Sequence, residues 1–187
     1  MNTPESIERD YLSGRRHRIL EKARLSARYH QRRERFFEWW DKAGKVTGFV
    51  AGSAALWKLV DQSSAVVLWA LLLITAWSAV SLVFSLSDRA KRHAEFAVKW
   101  REFEARVLAK GERNFEESDL DRWESEAAML ESTEPPELSA LIVDVQNELA
   151  IAAGQPEKVW PLRWWERRLM HFVDLPRTRA HAHAAAH

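Results

Sequence analysis

Residues 63–87 read SSAVVLWALLLITAWSAVSLVFSLS, twenty-five positions without a single charge. Its inner run, Ala65 to Leu86, would be about 33 Å long as a helix, and a bilayer's hydrocarbon core is about 30 Å thick. Sequence therefore predicts that Ser63 to Ser87 crosses a membrane as one helix. The segment upstream, Val46 to Val60, is apolar or small except for Lys58, and spans about 22 Å as a helix. Alone it fits a buried helix as well as a membrane one. Beside its neighbour, with Trp57 and Trp69 flanking the turn Asp61-Gln62-Ser63-Ser64, it reads as the first arm of a tight two-helix hairpin, with Lys58 free to snorkel.

The flanks set the expected topology. Lys42 and Lys45 precede the first arm and Arg89, Lys91 and Arg92 follow the second, whereas the turn holds only Asp61. The positive-inside rule then places both termini in the cytoplasm. No secretory signal is expected, because a long charged segment comes before the first apolar run.

Composition removes several chemistries. The 187 residues include no cysteine, so disulfides, thiolate metal sites and cysteine nucleophiles are excluded. Net charge is only +1, but a basic section before Lys45 is followed by an acidic one from Glu112 to Glu148. Ten tryptophans suit membrane interfaces or stacking sites.

Outside the hairpin every segment reads as helix. Leu12, Ile19, Leu20, Ala23 and Ala27 give Glu5 to Trp40 one apolar face. Phe96, Trp100, Phe103 and Val107 carry the second arm onward to Lys110, where Gly111 stops it. Leu120, Trp123, Ala127 and Leu130 mark another helix, ended by Pro135-Pro136. Glu137 to Ala153 is the next, with Gly154 as its C-terminal cap. In Trp160 to Val173, tryptophans interleave with arginines as in a basic amphipathic helix. The expected fold is thus an all-α membrane protein: a basic helix over 1–41, a hairpin over 42–88 with spans 44–60 and 64–87, a helical region over 89–176, and a disordered tail over 177–187.

Three groups of residues are candidates for function. Gly44, Gly48 and Gly52 remove bulk from one helical face and admit a second helix, from the same hairpin or from another subunit. Thr75, Ser78, Ser81 and Ser85 align hydroxyls that line water or bond helix to helix, and Asp61 and Asp88 would form rings at the mouths of an oligomeric pore. Arg28, Tyr29, His30, Arg32, Arg33 and Arg35, with Trp164, Trp165, Arg167 and Arg168, combine guanidinium groups and rings as nucleotide or single-stranded oligonucleotide binding requires. Anionic lipid headgroups, or the acidic section of the chain itself, would satisfy the same arginines. The histidines of the tail, His181, His183 and His187, lack a rigid scaffold, so no metal and no cofactor is assigned. No phosphate-binding Gly loop, nucleophile elbow or zinc-protease motif occurs, and an enzyme is not expected.

In order of features the chain resembles the SLATT family of small two-transmembrane effectors in bacterial conflict systems. The likeness rests on Arg32-Arg33-Glu34-Arg35-Phe36-Phe37, on Gly52-Ser53-Ala54-Ala55, on Ala90-Lys91-Arg92-His93-Ala94, and on Glu134-Pro135-Pro136 with Asn147-Glu148. It implies a pore or disrupting effector of the bacterial inner membrane that acts in anti-phage abortive infection, and the leading expectation is an oligomeric channel, tetrameric or larger. A nucleotide signal from a neighbouring nucleotidyltransferase would gate it, and Glu134, Pro135, Pro136 and Asn147 would be structural positions. The competing expectation is a non-conducting, membrane-anchored scaffold or sensor for a partner protein.

Overall fold

The structure, a computed structural model, describes residues 4–59 and 64–174. The turn holding Asp61 and the histidine tail lie outside the described residues, as does the side chain of Ser81. Among the described residues the chain is helical throughout: α1 (Pro4–Leu59), α2 (Ser64–Phe84), α3 (Leu86–Ala109), α4 (Glu117–Ser132), α5 (Ser139–Ala152), a 3-10 turn (Pro156–Lys158) and α6 (Trp164–Leu169).

Among these residues no helix is long and apolar enough to cross a membrane. That corrects the expected membrane protein with its transmembrane hairpin, and with it the transmembrane ion-channel reading and the inner-membrane location; the all-helical part stands. The backbone also departs from the expected hairpin in two ways. The apolar stretch from Val46 is the end of the 56-residue α1, and from Val46 to Leu59 it measures about 21 Å, short of the roughly 30 Å needed. The second stretch is not one helix to Ser87 and beyond. It stops at Phe84, Ser85 takes the left-handed φ of 42°, and α3 begins at Leu86.

The chain divides into two compact units, one of residues 4–31 with 95–174 and one of residues 32–94. In the first, Ile19, Leu20, Ala23 and Ala27 of α1 recur at helical spacing and pack with Trp100, Phe103 and Val107 of α3 and Leu120, Trp123 and Ala127 of α4. Each large side chain so buried stabilises the unit by about 1.5–3 kcal/mol. Gly111, at a φ of 79°, ends α3 where a side chain would be strained. α4 opens with the Asp119 carboxylate accepting from the Glu116 N–H at 3.1 Å, which satisfies one of the amides a helix start leaves unpaired. That bond, followed by Lys110, holds the Asp119 carboxyl below the usual range.

In the second unit α1 and α2 meet through tryptophans. Trp40 and Trp77 stack with centroids 5.8 Å apart, and a Cβ added at the buried Gly44 would fall inside the Trp77 indole. Gly44 thus lets another helix approach, and that helix belongs to the same hairpin. Phe37 is buried between the His93 ring, 5.7 Å away, and the Arg33 guanidinium, 4.5 Å from its centroid.

Candidate functional site

The basic section of α1 as far as residue 31 lies in the same unit as the acidic section of α4 and α5, and the structure pairs its cations with acids there and on α3. Arg15 donates to Glu124 through Nε at 3.1 Å and Nη2 at 2.8 Å, and through Nη2 to Asp121 at 2.7 Å. These bonds, that to Glu124 above all, raise the guanidinium pKa and lower that of the Glu124 carboxyl. Further along α1, Lys22 meets Glu131 at 2.7 Å, Arg24 meets Glu104 at 2.7 Å and Arg28 meets Glu148 at 3.0 Å. Spacings of two to seven residues put these cations on the flanks of the apolar stripe, where they border the core instead of facing away from it.

This pairing redistributes the candidate ligand-binding residues. Arg28 is engaged with Glu148. Tyr29 is buried, and its hydroxyl accepts from the Leu138 N–H at 3.0 Å. Arg32, Arg33 and Arg35 belong to the other unit, where Arg33 covers Phe37 and Arg35 is exposed. Trp164, Arg167 and Arg168 are exposed on α6, with Trp165 partly covered. Of the proposed stacking and phosphate-binding groups, α6 alone offers an exposed ring, Trp164 at 77%, beside exposed guanidiniums.

His30, which the sequence offers as a stacking residue for a ligand, instead lies inside, where α1, α3 and the segment after α4 converge. His30 is fully buried, its ring stacks on Phe96 at 5.2 Å, and its Nε2 lies 3.1 Å from the Glu134 carboxylate. The Trp100 Nε1–H donates to the same carboxylate. A buried carboxylate needs hydrogen-bond donors, and Glu134 has that of Trp100. Next to it Glu137 is exposed at the surface, yet partial desolvation of its carboxyl first, and Glu134 and Glu131 after it, push its pKa up. Closure of this cluster against Phe96 makes it a structural joint. Only the Glu134-Pro135-Pro136 resemblance marked this position in the sequence, because contact between residues over a hundred positions apart leaves no local pattern.

Another arrangement lies on α5. The Asn147 side chain donates through Nδ2 to the Trp160 carbonyl and accepts from the Trp160 N–H through Oδ1, both at 2.7 Å. Asp174 Oδ1 accepts from both the N–H and the hydroxyl of Ser139, at 3.1 and 2.9 Å. The C-terminal segment is thereby tied to α5 near both of its ends.

The remaining candidates fall in residues 32–94. Thr75 and Ser78 are exposed on α2, Ser85 sits at the left-handed turn and Asp88 is exposed in the first turn of α3. Gly48 and Gly52 have open space where a Cβ would be. Around them the unit presents large apolar side chains to the outside: Val46, Phe49 and Val50 on α1, and Leu68, Trp69, Leu72 and Leu73 on α2, with Phe49 at 77% and Trp69 at 67% exposure. Among the described residues no group of three or more His, Cys, Asp or Glu is placed to hold a metal ion.

No protein-family model matches the chain, and no characterised relative or solved structure similar to it was found.

Proposed function

We propose that this chain is a non-catalytic helical effector scaffold that works as a homo-oligomer, assembling through the apolar face of residues 32–94. The single observation that carries the reading is the exposure of Phe49, Trp69, Leu72 and Leu73 together with Val46, Val50 and Leu68 on two adjacent helices. Contiguous apolar surface on that scale marks an interaction site, and covering it is favourable by about 25 cal/mol per Å². A second copy suits it because an isologous contact pairs such an apolar patch with the same patch of its partner. Such self-complementarity is what a two-fold contact requires. The resemblance to small oligomeric effectors supports the same reading.

Light scattering on the purified full chain tests it. The expected result is a dimer or larger species that Phe49→Ser with Leu72→Ser shifts toward monomer. A wild-type chain that stays monomeric throughout a dilution series would contradict the proposal.

A second reading is favoured by the exposed Trp164 with Arg163, Arg167 and Arg168: that α6 takes an anionic, base-bearing ligand, a nucleotide or single-stranded oligonucleotide, as the effector's signal. A single-stranded oligonucleotide titrated by fluorescence anisotropy should bind more weakly as salt rises and lose most affinity in Trp164→Ala with Arg167→Ala. Binding insensitive to both changes would remove this reading.

A further inference from the structure

We infer that the outer face of α6, with the turn that follows it, docks on an anionic lipid surface, resting among the headgroups without spanning the bilayer. The inference goes beyond the oligomeric reading and does not depend on it. It gives the surface of the second reading a different partner.

The ties that fasten this segment to α5 leave its rings and cations outside. Asn147 bonds the backbone N–H and carbonyl of Trp160, and Asp174 accepts from the N–H and hydroxyl of Ser139. The buried Glu166 carboxylate accepts from the Arg163 N–H at 2.7 Å and opens α6. Trp164, Arg167 and Arg168, three and four positions apart, then share the face of α6 that points away from Glu166, and all three are exposed. In the turn beyond, Phe172 is 58% exposed, and Leu169 and Val173 are exposed beside it.

Charge selects an anion for this face. Elsewhere in the unit the cations of α1 end on carboxylates: Arg15 on Glu124 and Asp121, Lys22 on Glu131, Arg24 on Glu104 and Arg28 on Glu148. Among the described residues no such pair holds Arg167 or Arg168. Glu166 and Asp174 are the acids of residues 160–174; the first is turned inward and the second is engaged at Ser139. Three exposed guanidiniums, those of Arg163, Arg167 and Arg168, therefore stand without an acid of their own segment to answer them.

The apolar neighbours select lipid among anions. A base-bearing ligand stacks on aromatic rings and has no use for the branched side chains of Leu169 and Val173. A lipid surface uses every group present. The guanidiniums meet headgroup phosphates, the Trp164 indole sits at headgroup level with its N–H in water, and Leu169, Phe172 and Val173 reach the acyl boundary. With six residues α6 is about 9 Å long, which suits a helix that lies on a bilayer and not one that enters it.

The chain has no cysteine, so a single reporter can be placed in the full protein. Val173→Cys carrying an environment-sensitive fluorophore would be titrated with phosphatidylcholine vesicles that contain phosphatidylglycerol, with pure phosphatidylcholine vesicles, and with a single-stranded oligonucleotide. Met129→Cys, at an exposed position of α4, carries the same label as the control. The expected result is a blue shift at position 173 and none at 129, with anionic vesicles only, weakening as salt rises. Arg167→Gln with Arg168→Gln should lower vesicle affinity about 25-fold, about fivefold for each charge near the surface, whereas Phe49→Ser with Leu72→Ser should leave binding in place. No shift at 173, equal shifts at 173 and 129, or equal binding to neutral vesicles overturns the inference. So does vesicle binding that Phe49→Ser with Leu72→Ser abolishes and the arginine substitutions spare. A shift with the oligonucleotide alone overturns it as well and leaves α6 to the second reading.

Discussion

Arg15 grips Glu124 with two nitrogens, Nε at 3.1 Å and Nη2 at 2.8 Å, although the two residues are 109 positions apart. The contact fastens the start of α1 to the middle of α4 with a forked, charge-assisted geometry that a lysine could not reproduce.

Glu124 is therefore a source of acid sensitivity. Its folded pKa lies below the ordinary glutamate value because of Arg15. The stability it contributes is present above that ordinary value and is lost as pH falls through the folded one. Arg15→Met should lower the thermal midpoint at pH 7 and flatten the loss of stability on acidification. Thermal melts of both proteins between pH 7 and pH 3 check this.

Glu137 should act in the opposite sense. Partial desolvation, Glu134 and Glu131 raise its pKa, so its favourable contribution is present below the ordinary glutamate value and disappears as pH rises through the folded one. At neutral pH the ionised carboxylate is a liability. Glu137→Gln should raise the midpoint at pH 7, and the gain should vanish at acid pH where wild type is protonated.

The Glu134 joint predicts a graded series. Trp100→Phe keeps the ring volume nearly intact but removes the N–H that Glu134 accepts, and should cost about 1–3 kcal/mol for a buried acceptor left short of a partner. Trp100→Ala adds a cavity in a fully buried site and should cost about 3–5 kcal/mol. Denaturant titration with an unchanged slope would separate the two.

Gly44 and Gly52 share helix, residue type and spacing motif, yet should respond differently. A Cβ at Gly44 meets the Trp77 indole, whereas Gly52 has nothing within 4 Å. Gly44→Ala should abolish the Trp40 and Trp77 stacking signal in near-ultraviolet circular dichroism, and Trp77→Ala should make the substitution tolerable. Gly52→Ala should leave that signal unchanged.

The sequence carries the helices of the first unit openly, because Ile19, Leu20, Ala23 and Ala27, or Trp100, Phe103 and Val107, repeat at the helical period. It carries their caps too: Gly111 and Gly154 take the left-handed φ that a helix end needs. The apolar segments were another matter. An uncharged run gives its length in residues, but the turn at Ser85 comes from a serine in a left-handed conformation, which no residue preference signals. α1 likewise runs through Gly44 without a break because a glycine interior to a helix costs only about 1 kcal/mol. In the candidate sites, Arg28 and Tyr29 looked available because their partners Glu148 and Leu138 lie over a hundred residues away. Pairing of the basic with the acidic section was legible as one option among three, and its register was not.

Self-association through residues 32–94 is the central claim, and the molar mass of the full chain by multi-angle light scattering tests it most directly. The account predicts a dimer or larger assembly for wild type, and a monomer with unchanged helical content for Phe49→Ser with Leu72→Ser. A wild-type monomer, or an assembly whose mass the double substitution leaves unaltered, would contradict it.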